Sequence, residues 1–181
     1  MSTAAHARPL DLEPAASAAP PPPDLRSVFG RTASSAWVVT SAQAGRLAGF
    51  TAVSIASVSL DPPMISLNIS RTSSSLSTVV RSRRLAAHLL DDGQQHLAER
   101  YGGDRDRRFV VDGTWSLDQQ GVPVVHDAVA RLSGDVTDVV DAGDSYVVIA
   151  AVSDIELCQR PAQERRPLLR LGRDWCSPFA S

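Results

Sequence analysis

The chain has 181 residues, 43% of them hydrophobic, and a formal net charge of −2. That is enough apolar content for one domain with a core, and no field that would draw it to nucleic acid or an anionic membrane. All 18 basic residues are arginine, which excludes a lysine Schiff base or a lysine phosphate clamp.

In chain order, residues 1–23 are rich in Ala and Pro and end in Pro20–Pro23. Such a segment buries too little surface to offset its ordering entropy, and is read as a disordered arm. It lacks the basic start and apolar stretch of a secretory signal, and no apolar run in the chain reaches the roughly 20 residues of a membrane span, so a cytoplasmic protein is expected. Order is expected over 24–176, with 177–181 as a tail. Asp24 is a plausible N-cap for a helix carrying Leu25, Val28 and Phe29. Ala36–Ser41 reads as a strand, Ala44–Arg46 as a turn, and Leu47–Ser59 as one long strand with a bend. Asp61-Pro62-Pro63 stops it, because prolines remove ladder donors. Met64–Ile69 reads as a strand, Ser73–Arg81 as a helix, Leu85–Leu90 as a strand, Gln94–Tyr101 as a helix, and Asp104–Phe109 as a charged helical stretch. Ala128–Val140 and Ser145–Leu157 alternate as barrel strands do, joined by a turn at Asp141–Asp144. Leu168, Leu169 and Leu171 suggest a last edge strand. The total is a mainly β fold, a barrel with a few short helices.

Cys158 and Cys176 have no metal-ligand or CxxC spacing and read as reduced thiols. His6, His88, His96 and His126 form no HxH or HxxxH pair, so no metal site is expected.

Three stretches carry possible chemistry. Gly49–Ser54, followed by Ser57–Pro63, combines glycine with small hydroxyl residues, which lets a flat ligand approach the backbone; a plain barrel strand has the same composition. Asn68–Ser75 joins a strand to a helix. Its hydroxyls, its guanidinium and the helical N–H groups suit a phosphate, or equally a serine-rich cap beside a solvated Arg71. No GxxxxGK run is present, so this is not a P-loop. The third is the turn Ala142-Gly143-Asp144-Ser145, which by itself serves only geometry.

Taken together, the strand Val38-Val39-Thr40, the block from Gly49 to Pro63, the loop Arg71–Ser75, Phe109 after a charged stretch, Gly121-Val122-Pro123 and the Ala-Gly-Asp turn resemble the flavin reductase-like family over roughly residues 25–175. The resemblance implies a Greek-key, FMN-binding split β-barrel, homodimeric, with flavin at the subunit interface. It implies that Thr51, Ala52, Val53 and Ser54 lie along the isoalloxazine. Asn68, Ser70, Arg71, Ser73 and Ser75 would follow the ribityl chain and phosphate. The implied activity is hydride transfer from NADH or NADPH to FMN or FAD, with reduced flavin passed to a partner monooxygenase, and it needs close stacking of two rings rather than a strong acid or base.

The chain departs from the family at two places. Where many relatives carry Gly-Asp-His, it has Gly143-Asp144-Ser145, so Asp144 and Ser145 become the candidate catalytic pair, and Ser145 can donate one hydrogen bond but neither stacks nor carries charge. Trp37 stands where small residues are usual, and reads either as a cover for the flavin or as a core residue. His88 reads either as a replacement for the missing histidine or as a buried structural one. Arg81, Arg83 and Arg84 read either as a 2′-phosphate site or as a solvated helix end. These departures leave open a flavoprotein of a biosynthetic pathway that has lost NAD(P)H turnover, and, because fold does not fix function, a binding module without activity.

Overall fold

The computed structural model describes residues 24–159 and 166–178; the N-terminal arm lies outside them. Asp24 caps α1 (Leu25–Phe29), its carboxylate accepting from the Ser27 N–H at 2.8 Å while Ser27 Oγ accepts from the Asp24 N–H.

Seven strands form the main sheet: β2 (Trp37–Gln43), β3 (Arg46–Ala52), β4 (Ala56–Leu60), β5 (Pro63–Ser70), β6 (Arg84–Leu89), β9 (Ala130–Ala142) and β10 (Ser145–Leu157), in the order β3-β2-β6-β9-β10-β5-β4. Every pairing is antiparallel. The two end strands, β3 and β4, are joined only by residues 53–55. The four Cα steps from Ala52 to Ala56 reach at most about 14 Å, so the sheet curls until its ends meet, a barrel left split between β3 and β4. The long strand expected over Leu47–Ser59 is therefore two strands at opposite ends of one sheet. Local alternation shows that each half is extended, but not which neighbours each half takes. Asp61–Pro62 is the hairpin turn, with Pro63 opposite Leu60 as the first residue of β5.

Two apolar cores follow from the alternation of the strands. Inside the barrel, Val39, Leu67, Ile69, Leu85, Ala87, Val148 and Ala150 pack with Val79 of α2 (Leu76–Ser82). On the outer face of β2 and β6, Val38 and Leu90 pack with Leu97, Ala98 and Tyr101 of α3 (Gln95–Gly102), and with Phe109. Asp104–Phe109, expected to be helical, forms only one 3-10 turn at Arg105–Arg107.

Leu169–Leu171 (β11) is not an edge strand. It is the centre of a three-stranded sheet between β1 (Ala33–Ser35) and β12 (Asp174–Cys176). A hairpin of β7 (Trp115–Leu117) and β8 (Pro123–Val125) surrounds the Gly121-Val122-Pro123 motif. Cys158 and Cys176 are free thiols.

Candidate functional site

β3 is an end strand, and one of its backbone edges is unpaired by strand. The Gly49 carbonyl on that edge accepts from the Ser75 hydroxyl at 3.1 Å and from Arg108 Nη1 at 2.8 Å. Alternate residues of a strand turn their backbone groups to the same side, so Thr51 shares this free edge with Gly49. The Thr51 hydroxyl faces α3, donating to the Ala98 carbonyl at 2.5 Å. Ala52 is buried toward the barrel core, while Val53 and Ser54, past the end of β3, are exposed. The Gly49 carbonyl is taken up by Ser75 and Arg108, and from Thr51 onward the strand-unpaired edge, flanked by small residues, suits the rim of a planar heterocycle.

Gly49 itself does not open the strand to a ligand through its missing side chain. A Cβ there would lie 2.7 Å from Tyr101 Cε1 and 3.0 Å from Phe109 Cζ, so the vacant position is filled by protein aromatics.

The second group forms where β5 and β10 run side by side. Ser70 lies opposite Ser145, and Asn68 opposite Val147, so Asn68, Ser70 and Ser145 share one sheet face. The β9–β10 loop has Gly143 at φ 69°, the backbone of a type II′ turn. Ser145 donates its hydroxyl hydrogen to Asp144 Oδ1 at 2.9 Å, leaving the oxygen as an acceptor.

Arg71 binds this turn to the serine loop. Its Nε donates to the Gly143 carbonyl at 2.5 Å, its Nη1 to the Tyr146 hydroxyl at 2.8 Å, and its Nη2 pairs with Asp141. Its own N–H donates to the Asp144 carbonyl at 3.0 Å, and its guanidinium carbon sits 4.5 Å from the centre of the Tyr146 ring. Hydrogen bonding to Asp141 raises the Arg71 pKa and lowers that of Asp141. Three of the five guanidinium N–H groups are thus committed to protein partners.

In the same loop, Ser73 Oγ accepts from the Ser75 N–H at 3.3 Å. Ser75 is buried, and its hydroxyl is held by Gly49 and Arg108.

Residues 29–177 match the family described as flavin reductase like domain. The chain belongs to the flavin reductase-like family. An NADH:FMN oxidoreductase of Rhodococcus erythropolis is 35% identical over 146 residues, covering 81% of this chain and 76% of that protein. The flavin-dependent monooxygenase reductase subunit HsaB of Mycobacterium tuberculosis (strain ATCC 25618 / H37Rv) is 30% identical, covering 85% and 81%. Among solved structures, the homologue of nitrilotriacetate monooxygenase component B from Mycobacterium thermoresistibile superposes with a TM-score of 0.77 at 28% identity, covering 85% of this chain and 84% of that one.

Against the flavin reductase-like frame, the remaining sequence candidates separate. Trp37 packs against the barrel core and donates its indole N–H to Ser35 Oγ at 2.8 Å, while standing opposite Ala52. His88 is fully buried with Nδ1 3.0 Å from the Val38 carbonyl, and burial lowers its pKa to about 4. It stands opposite Arg131, near the start of β9, roughly 30 Å of strand from the turn at the other end. Within one protomer it does not replace a histidine at that turn. Arg83 donates to the Val136 and Thr137 carbonyls, both at 2.9 Å, and so serves the fold. Sequence reasoning missed Asp141, Tyr146 and Arg108. Asp141 was within the turn and Arg108 within a charged stretch read as helical, and neither has a local signal naming its distant partner.

Proposed function

We propose that the chain is an NAD(P)H-dependent flavin reductase that reduces FMN or FAD and supplies the reduced flavin to a separate flavin-dependent monooxygenase. The observation that carries this reading is the free edge of β3. It runs from the Ser75–Arg108 cluster at Gly49 to Thr51 and on toward the exposed Val53 and Ser54, the length and polarity a flavin mononucleotide needs.

When bound, the flavin supplies N5 as hydride acceptor. The chain's own residues bind and orient. The Thr51 backbone meets the polar rim of the ring, and Ala52, Val53 and Ser54 leave space along it. Asn68, Ser70 and Ser73 offer hydroxyl and amide groups to the ribityl chain and phosphate, and Ser75, its hydroxyl held between Gly49 and Arg108, fixes the loop that carries them. Ser145, held by Asp144, presents an acceptor oxygen toward a nicotinamide carboxamide, and Arg71 fixes the turn that carries it. No side chain is asked to move a proton, because the rate comes from holding two rings in reacting geometry. Residues fit the cofactor in charge as well: Arg108 has a buried Nε with no partner.

Exposed apolar residues flank this edge, Val53 at 42%, Val58 at 53% and Leu60 at 87% exposure. A second copy of the chain covering them would complete the cleft, giving a homodimer that works in the cytoplasm. Among the described residues no helix is long and apolar enough to cross a membrane. The ordered unit is taken as 24–176.

The test is oxidation of NADH and NADPH by pure protein with and without FMN or FAD. Turnover that requires added flavin supports a reductase. Protein that binds flavin but oxidises neither nucleotide overturns it in favour of a flavoprotein with another substrate, the reading that Ser145 motivates.

A further inference from the structure

A pocket of about 300 Å³ lies between α2 and the strands β9 and β10, close to the turn that joins them. Leu76, Ser77, Val80 and Arg81 form its helical side, Val139 and Tyr146 its strand side. Leu76 and Val80 are four residues apart on α2, as are Ser77 and Arg81, so these four share one face of the helix. The residues α2 buries are Thr78 and Val79, which leaves that face turned away from the core. Val80 and Val139 are exposed despite being apolar. Tyr146 carries the Arg71 guanidinium over its ring, and among the described residues no aromatic ring stacks on it. Arg81 is exposed, and among the described residues no carboxylate forms an ion pair with it. The pocket is continuous with both parts of the proposed site, because Leu76 directly follows Ser75 of the serine loop and Tyr146 directly follows Ser145.

We infer that this pocket receives an adenosine phosphate, with the purine on the Tyr146 ring between Val80 and Val139 and the phosphate at Arg81. The inference rests on the flavin-reductase reading and deepens it: FAD, NADH and NADPH carry this group, and FMN does not. Two valines and an aromatic face suit a flat, largely apolar ring, since stacking on an aromatic side chain holds a base by its π-face. A guanidinium at the rim suits the anion attached to that ring. The volume is at the small end of ligand sites, so it takes the purine and leaves the ribose and phosphate at the rim. FAD held by the serine loop approaches along α2, and a pyridine dinucleotide approaches over the β9–β10 turn. Val80 and Arg81 are exposed, so their replacement leaves the packing of Thr78 and Val79 in place.

The experiment is calorimetric titration of the full chain with AMP, FMN and FAD, together with KM for NADH, NADPH and reduced nicotinamide mononucleotide, which lacks the adenosine. Wild type, Arg81→Gln and Val80→Glu are compared, with melting temperature as the check on folding. Wild type is expected to bind AMP. Both variants should weaken AMP threefold or more, and leave FMN and reduced nicotinamide mononucleotide within twofold. The same loss on FAD identifies the flavin as the carrier of the group, and the same loss in KM for NADH or NADPH identifies the dinucleotide; either result upholds the pocket. AMP affinity that neither variant changes overturns the inference. So does an equal loss for FMN and FAD, or for NADH and reduced nicotinamide mononucleotide, which would place the effect on the serine loop or the turn. AMP weakened while FAD, NADH and NADPH are all unchanged overturns it as well, since no reactant would then use the pocket. Wild type that binds flavin and oxidises NADH but does not bind AMP overturns this inference alone. Wild type that binds AMP through Arg81 but binds no flavin keeps the pocket and overturns the flavin reading.

Discussion

Gly49→Ala tests the packing behind the proposed flavin edge. The added Cβ would stand 2.7 and 2.8 Å from two carbons of the Tyr101 ring and 3.0 Å from Phe109. Neither ring has room to retreat. Tyr101 is 1% exposed, it meets Phe109 edge to face at 5.5 Å between centroids, and Phe109 meets Trp115 at 5.3 Å. Tyr101 must move by several tenths of an ångström, and the displacement passes to α3 and to the Phe109 segment. Forced additions of this kind to a packed core cost about 1–3 kcal/mol.

For a chain of this size each kcal/mol lowers the melting temperature by about 2–4 °C, giving a fall of roughly 2–12 °C. Affinity for FMN should fall with it, because α3 holds the Thr51 hydroxyl through Ala98 and because Arg108 precedes Phe109. Differential scanning fluorimetry and FMN titration read both effects. Gly93→Ala is the control, since its added Cβ would have an ordinary 3.5 Å contact with Asp91 Oδ1. A Gly49→Ala protein that melts within about 1 °C of wild type and binds FMN equally would refute the packing argument.

Three further outcomes follow from the site and the core. Ser145→His should raise turnover with NADH several-fold, measured at saturating FMN; an unchanged rate would remove this turn from the nicotinamide side. Arg71→Gln and Asp141→Asn release the same turn, so each should raise KM for NADH, and the double variant should be no worse than the poorer single; additive effects would show separate roles. His88 is held neutral with a pKa of about 4 against an ordinary 6.5. The unfolded chain therefore binds a proton that the folded chain refuses between those values. Stability from this group is complete above pH 6.5 and is lost as pH falls toward 4, by up to about 1.4 kcal/mol per pH unit. Urea unfolding of His88→Gln at pH 5 and 7 should show that slope reduced, and an unaltered slope would place its origin elsewhere.

What the sequence made legible was whatever has a local signature. Alternation over Ser145–Leu157 marked β10 from end to end, and Asp24 announced the cap of α1, with Ser27 completing it in the structure. The break at residues 53–55 was hidden because both halves of Leu47–Ser59 have strand-forming residues, and what separates them is that each takes its own hairpin partner, β2 or β5, at opposite ends of the sheet. The hairpin of β7 and β8 was hidden because three-residue strands are too short to show a period.

The candidate site divides along the same line. Its hydroxyl and glycine residues were visible as two compact stretches, but what each side chain is free to do depends on pairings 34 to 75 residues apart. Arg71 looks available in the sequence and is held by Gly143, Asp141 and Tyr146. Arg108 lies in a stretch expected to be a charged helix and is drawn inward to Gly49 and the serine loop. A charged side chain belongs to a binding site when the fold leaves its charge uncompensated. Arg108 keeps a buried Nε without a partner, whereas Arg71 is already taken up by the turn beside Ser145.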